Sequence, residues 1–557
     1  METNKKIRTN VGAAVTAALL SVLQVLGYSF SKNNSWDMWF QNSRSIGNFL
    51  LLSAGIAVFF FFLIRVFWRI MDCHSQGAGN REQIRRKDVL KLMGLFVILW
   101  MPYLLLLYPC SMNPDVMDQI GQFFHIDSMC WTQRYVNLPN PDQSFWNNHH
   151  PVFHTLIVGI FTWIGKQIRN IGLGFFAMVL LQTALMALVF SYAVLYMKKR
   201  NVSSRFLCVA VIFYGLWPIH GITATTLCKD TLFNVWIFYS TIRMIQMLEE
   251  PKEVLTRRFV FWNIVNFTIM GLLRNNGVYL LAVMLPIMLI IMKGYRRKIF
   301  LSFGIPVLFL GIVLPKVIFP ALEIAPGSKR EMLSVPLQQI ARTVKEEKVD
   351  EKDLKVIERT LSPEGDYRMI IKRYDPKRAD SVKSCYNLNL SESEEKEFLK
   401  VWLKYLKKYP MTYIQAAINN SYQYIYYERY SDSTAYVYYN GITANKGEVL
   451  GVRNNQKLKG ARDTLYKIIT EIQHSKFFGW TVNIGFYMCV FIILAVKALV
   501  DKKYRLFWSF GLIMGNIAIN FLGPVVYMRY AYFFIICIPL YGGILMTKKG
   551  EKDAEKY

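Results

Sequence analysis

Apolar residues in this chain fall into long, nearly unbroken runs, not into the strict alternation of a half-buried strand. A bilayer span needs about 20 such residues. The pattern predicts about twelve spans, near 11–30, 48–67, 89–108, 172–197, 206–222, 231–247, 259–273, 277–292, 299–318, 480–500, 506–522 and 525–546. The first follows Lys5, Lys6 and Arg8 as a signal peptide would, but no persuasive small-residue cleavage site follows it, so it is read as a retained span. Between 319 and 479 the pattern turns polar with helical periodicity, as in "EMLSVPLQQIARTVKEE" and "SEEKEFLKVWLKYLKKYP". The aromatic stretch "SYQYIYYERYSDSTAYVYYNG" is expected to pass from helix into strand or loop.

Charge orients these spans. The net charge of +28 would suggest nucleic acid in a soluble protein. Here the cations sit in short loops, and alternating spans from an inside N-terminus put Arg81, Arg85, Arg86 and Lys87 on the same side as four later groups. Those groups are Lys198 to Arg200 with Arg205; Lys252, Arg257 and Arg258; Lys293 and Arg296 to Lys298; and Lys502, Lys503 and Arg505, with Lys548 and Lys549 in the tail. Charge therefore reports topology, with both termini inside and no nucleic-acid partner. The same rule settles "HHPVFHTLIVGIFTWIGKQIRN", residues 149–170: a crossing there would turn every later basic loop outward. It is read instead as an amphipathic helix on the outer interface, with Trp163 at headgroup depth.

The expected protein is all-α and polytopic, with a mainly helical extracytoplasmic domain. Residues 1–318 form an N-terminal transmembrane module with an outer loop at 109–171, 319–479 the outer domain, and 480–557 the C-terminal spans and inside tail. The cysteines show no CxxC or zinc spacing. Cys110 and Cys130 both face outward, which leaves a disulfide or two packed thiols open.

With this topology the unusual polar residues gather at the outer ends of spans: Asp115, Asp118, His149, His150, Lys229, Asp230, Arg274, Asn275 and Arg529. Each has a plainer reading. Asp115 could cap a helix after "NP", Lys229 and Asp230 could pair locally, and Arg274 or Arg529 could snorkel. Together they suggest one shared cavity. Cations near the headgroup plane suit a lipid phosphate, and a carboxylate suits proton abstraction from a hydroxyl. Both needs meet in glycosyl transfer from a polyprenyl-phosphate sugar, and no Gly-rich phosphate loop is present.

The long outer loop with an early Asp, a basic residue before Pro at an interfacial helix, and a following span that ends in an inside basic cluster resemble the GT-C superfamily of integral membrane glycosyltransferases. "NPDVMDQ", "HHPVFHT", "CKDTLF", "LLRNNG", "SVPLQQIAR" and "YDPKRADSVK" are similar to an uncharacterised family of multi-pass proteins found mainly in Gram-positive bacteria. The resemblance implies a plasma-membrane enzyme with Asp115 as the catalytic Asp of the first outer loop and His149 or His150 near the lipid phosphate. Lys229, Arg274 and Arg529 are expected as further phosphate contacts, and Asp230 and Asn275 as supports. Asp115 and Asp118 are separated by "VM", which leaves the choice of base between them open. No cofactor is required on this reading and no metal ligand is assigned; the alternative is a divalent cation held by His150, His154 and Asp115 or Asp118. The rival functions are a transporter or flippase of lipid-linked sugars, a surface-polysaccharide polymerase or ligase, and a scaffold whose outer domain binds a partner.

Overall fold

A computed structural model describes residues 2–73, 83–132, 136, 146–362, 365–427 and 450–547. Arg81, Lys548, Lys549, part of the 109–171 loop and the aromatic stretch beyond Tyr427 lie outside the described residues.

Helix occupies each of the twelve apolar stretches. Six helices are long and apolar enough to cross a membrane: Thr3–Asn33, Ser43–Cys73, Arg86–Leu106, Ile171–Lys199, Lys293–Ala321 and Met528–Leu545. Ser204–Leu216 and Pro218–Thr225, bent by 47° at Trp217, make a seventh if they form one span. The others are shorter or more polar, and some of them are largely enclosed by neighbouring helices. Lys229–Glu249 is the clearest case: Trp236, Ser240, Arg243 and Gln246 bond to Asn266, Asn263 and Tyr192 on neighbouring helices, satisfying polar groups that lipid could not. Conversely, Leu50, Leu51, Phe59, Phe62 and Val66 of Ser43–Cys73 are exposed, as expected of a lipid-facing surface. These features make the chain a helical, membrane-embedded protein.

The two ends of the bundle differ in charge. At one end Arg200 pairs with Glu249 and Glu250, Lys497 with Asp72 at 2.7 Å and Asp501 at 2.9 Å, and Lys503 donates to the carbonyls of Leu545 and Thr547. These contacts bring together the ends of helices beside the 198–205 and 502–505 basic groups, which the charge rule places on one side. A cysteine introduced at Ser393 of the outer domain should react with a membrane-impermeant maleimide in intact cells, whereas one at Ser204 should react only after permeabilisation; both positions are exposed. Labelling of Ser204→Cys in intact cells would invert the topology.

The segment 149–170 contains a 16-residue helix, Val152–Gln167. At about 1.5 Å per residue it is about 24 Å long, and its place on the outer interface rests on the charge rule and on its two faces. Its inward face carries His154, Thr155, Gly159 and Thr162, while Leu156, Ile160, Trp163 and Ile164 are exposed. Such an inside-out helix fits a position against lipid at the bundle's edge. It crosses the next helix closely where Gly174 meets Gly165: a Cβ on Gly174 would stand 2.2 Å from the Phe161 carbonyl oxygen.

Residues 319–479 divide between two cores. Leu337, Ile340, Ile357, Phe398, Tyr405 and Tyr413 form the interior of the outer helical domain, whose Glu392–Lys408 helix begins with a capping box at Ser391 and Glu394. Leu450 and Val452 instead pack with Cys110, Met112 and Val116 beneath the outer loop. The "YDPKRADSVK" stretch docks the outer domain on the last inter-span turn, the Ala379 amide donating to the Pro524 carbonyl at 2.8 Å. Arg342 of "SVPLQQIAR" donates to the Asn34 carbonyl at 2.9 Å. Cys110 and Cys130 are both buried and are not joined by a disulfide.

Candidate functional site

Two short strands bring the site together. β1, Ser111–Met112, leaves the outer end of Arg86–Leu106, and β2, Thr226–Leu227, precedes Lys229–Glu249; they pair in parallel, Ser111 opposite Thr226 and Met112 opposite Leu227. Asn113 next caps the Pro114–Phe124 helix, its side-chain oxygen accepting from the Asp115 amide at 3.0 Å. Asn113 therefore fills the capping role that Asp115 could have taken, and the Asp115 carboxylate joins a cluster of cations.

Asp115 Oδ2 accepts from Lys229 Nζ at 2.9 Å and lies 3.4 Å from an Arg529 guanidinium nitrogen. Lys229 does not pair with its neighbour Asp230. That carboxylate is fully buried and lies between Arg274 at 3.4 Å and Arg529 Nε at 3.5 Å. Tyr530 stacks near both guanidinium groups, 5.0 Å from Arg274 and 4.9 Å from Arg529, and its hydroxyl accepts from Arg529 at 3.0 Å. Asn234 donates to the Arg529 carbonyl at 2.8 Å, tying the two helix starts together. The edge open to solvent is formed by Asp115, Lys229, Arg274 and Arg529, whose side chains are 13–25% exposed.

The two histidines separate in role. His150 is buried and its Nδ1 lies 2.8 Å from Lys229 Nζ. Since an ammonium can only donate, Nδ1 is the acceptor and the ring proton sits on Nε2, which faces Asp118 Oδ2 at 3.4 Å. Burial and the adjacent Lys229 hold the imidazole well below its usual range despite Asp115, so His150 is neutral and orients Lys229. His149 turns toward Trp131, 5.7 Å between rings, and burial lowers it to about 4 although Glu331 of the outer domain opposes the shift. Asn275 supports this segment from across the bundle, donating to the Asn148 carbonyl at 2.8 Å.

The two carboxylates separate as well. Burial drives Asp115 upward, but the charges of Lys229 and Arg529 and the hydrogen bond from Lys229 outweigh it and hold the group well below the usual carboxylate range. Asp118 is fully buried and accepts from the Thr132 amide at 2.7 Å and its hydroxyl at 2.6 Å. Burial exceeds the effect of those bonds and raises it to about 6. Asp115 is thus a solvent-edge anion, and Asp118 an interior group that anchors the outer loop.

These shifts give acid stability an unusual form. Unfolded histidine takes its proton near 6.5, whereas His149 and His154 resist until about 4 and about 3, so acidification below 6.5 favours the unfolded chain. Asp118 opposes this: it takes a proton at about 6 when folded but near 3.8 when unfolded. Asp118→Asn removes the opposing effect. The variant should lose thermal stability more steeply than the parent between pH 6.5 and about 4, read by melting in detergent micelles.

The residues named for the divalent-cation alternative have other partners in this arrangement. His150 precedes the Val152–Gln167 helix and serves Lys229, while His154 Nδ1 pairs with Gln119 at 3.0 Å. Lys229 and Arg529 both engage Asp115 Oδ2, and among the described residues no group of three His, Cys, Asp or Glu is placed to hold an ion. Thr132, Asn234, Gln119 and Tyr530 escaped the sequence reading. Only Tyr530, next to Arg529 in "YMRYAY", carries a local signal, as an aromatic residue at a span's start.

Comparison with protein families adds one match, over residues 1–556, to a family of unknown function, DUF6020. The chain belongs to that family. No curated protein and no solved structure matches this DUF6020 chain significantly. Its chemistry must therefore be argued from the cluster itself.

Proposed function

We propose that this DUF6020 protein is an inverting glycosyltransferase of the plasma membrane in Gram-positive bacteria, with a GT-C-like arrangement of twelve crossings. It moves a sugar from polyprenyl phosphate to the hydroxyl of a glycan, lipid or protein acceptor outside the cell. The observation that carries this reading is the Asp115 carboxylate shared by Lys229 and Arg529 at the open edge of the cluster. Lys229, Arg274 and Arg529 against Asp115 and Asp230 leave one net positive charge beside the membrane boundary, which suits the single negative charge of a phosphodiester.

A carboxylate bound by two cations is a weak base. Entry of the donor phosphate supplies a competing anion for Lys229 and Arg529, and as they turn to it Asp115 regains basicity. Asp115 then takes the acceptor proton, the acceptor oxygen forms its bond to the anomeric carbon, and the bond from that carbon to the phosphate oxygen breaks. The leaving polyprenyl phosphate keeps the electron pair and is stabilised by Arg274, Arg529 and Lys229. Asp230 holds both guanidinium groups in place, and His150 holds Lys229.

Pools of polyprenyl-phosphate sugars and envelope glycans, compared between cells with and without the protein, test this directly. Accumulation of one lipid-linked sugar with loss of one glycan decoration is the expected result. Unchanged pools and glycans would refute the transferase, and accumulation confined to the inner leaflet would favour a flippase.

A further inference from the structure

A second basic feature lies outside the Asp115 cluster. Where Val152–Gln167 turns into Ile171–Lys199, a cavity of about 470 Å³ opens against the outer end of Arg86–Leu106. Lys166, Arg169 and Arg453 line it, no acidic residue does, and among the described residues none of the three has a carboxylate partner. Asn170, at the N-cap of Ile171–Lys199, stands on the same wall, so the positive end of a long helix faces the cavity. Tyr108 and Leu450 provide an apolar side, and nearby Trp163 and Ile168 are exposed on the surface read as lipid-facing.

Three unneutralised cations, a helix N-terminus and an apolar wall at the membrane boundary together select an anion attached to an amphiphile or a small polar body. The volume suits a headgroup of glycerol-phosphate or sugar-phosphate size. We infer that this cavity is a separate binding site for a phosphate-bearing headgroup, held by Lys166, Arg169 and Arg453. The site is connected to the cluster through the backbone: Asn454, next to Arg453, donates to the carbonyls of Tyr108 and Cys110 at 3.1 Å, on the chain that enters β1 and then reaches Asp115. Binding here does not depend on the transferase reading.

The test uses the full-length protein in phosphatidylcholine nanodiscs and native mass spectrometry, with sn-glycerol 3-phosphate as the soluble probe and phosphatidylglycerol doped into the disc as the membrane probe. At least one probe should be retained at one per chain. Arg169→Gln/Arg453→Gln should lose that retention at least about tenfold with an unchanged melting temperature, since both side chains are exposed. Lys166→Gln should weaken it less, and Lys400→Gln on the outer domain should leave it intact. Retention of glycerol phosphate identifies a soluble source of the ligand, and retention of phosphatidylglycerol identifies a membrane source. Retention of neither probe, or equal retention by the double variant, overturns the site.

Discussion

Asp115→Asn is expected to lower sugar transfer by about 10³-fold, the scale of removing a positioned general base, while leaving the fold in place. Asparagine keeps the shape of the side chain, and the Asn113 cap on the same helix does not involve the carboxylate. The binding outcome separates this role from a structural one. Removing the carboxylate releases Lys229 and Arg529 from their anion, so the donor lipid should bind as tightly as before or more tightly even as turnover collapses. Reconstituted transfer with purified donor, paired with a donor-binding titration, reads both quantities. Full turnover with Asp115→Asn would remove Asp115 as the base; weakened donor binding would mean that the cluster needs the acid to hold its shape.

Asp118 should behave in the opposite way. Asp118→Ala leaves the Thr132 amide and hydroxyl, both buried, without their acceptor. At about 1–3 kcal/mol for each unsatisfied donor, a loss of about 3 kcal/mol is expected in denaturation of the detergent-solubilised protein. Thr132→Val should cost less, because the backbone amide keeps its partner. The double variant Asp118→Ala/Thr132→Val should be less destabilised than the sum, as expected for residues that act on each other. Additive losses would show that the two residues stabilise the loop independently.

The sequence revealed those parts of the protein that depend on local composition. A lipid-facing span must be apolar along its length, so helix in each of the apolar stretches and the gathering of acids and cations at helix ends could be read from short windows. Residues that face other helices have no such constraint. Lys229–Glu249 carries Asn234, Ser240, Arg243 and Gln246 because its neighbours supply partners, and only the assembled bundle shows which. Pairing within the cluster was hidden for the same reason. "KD" at 229–230 suggests a local ion pair, yet consecutive helical side chains point about 100° apart, and each finds its partner on another segment. The spacing of Asp115 and Asp118 left the base open. Burial separates them, since Asp118 is closed in behind Thr132, a residue 14 positions along the chain with no motif to mark it.

The two-residue ladder between β1 and β2 has a consequence for how the protein responds to its membrane. Helices adapt to a thicker or thinner bilayer by tilting and sliding, and Asp115 and Lys229 are each fixed to the top of a different helix. The parallel pairing of Ser111 with Thr226 and Met112 with Leu227, extended by the Asn113 amide donating to the Leu227 carbonyl at 3.2 Å, ties those tops together. The ladder and the ion pair between Asp115 and Lys229 thus link the same two segments of the chain. A change in the tilt of either helix must therefore act on the ladder and on the ion pair together.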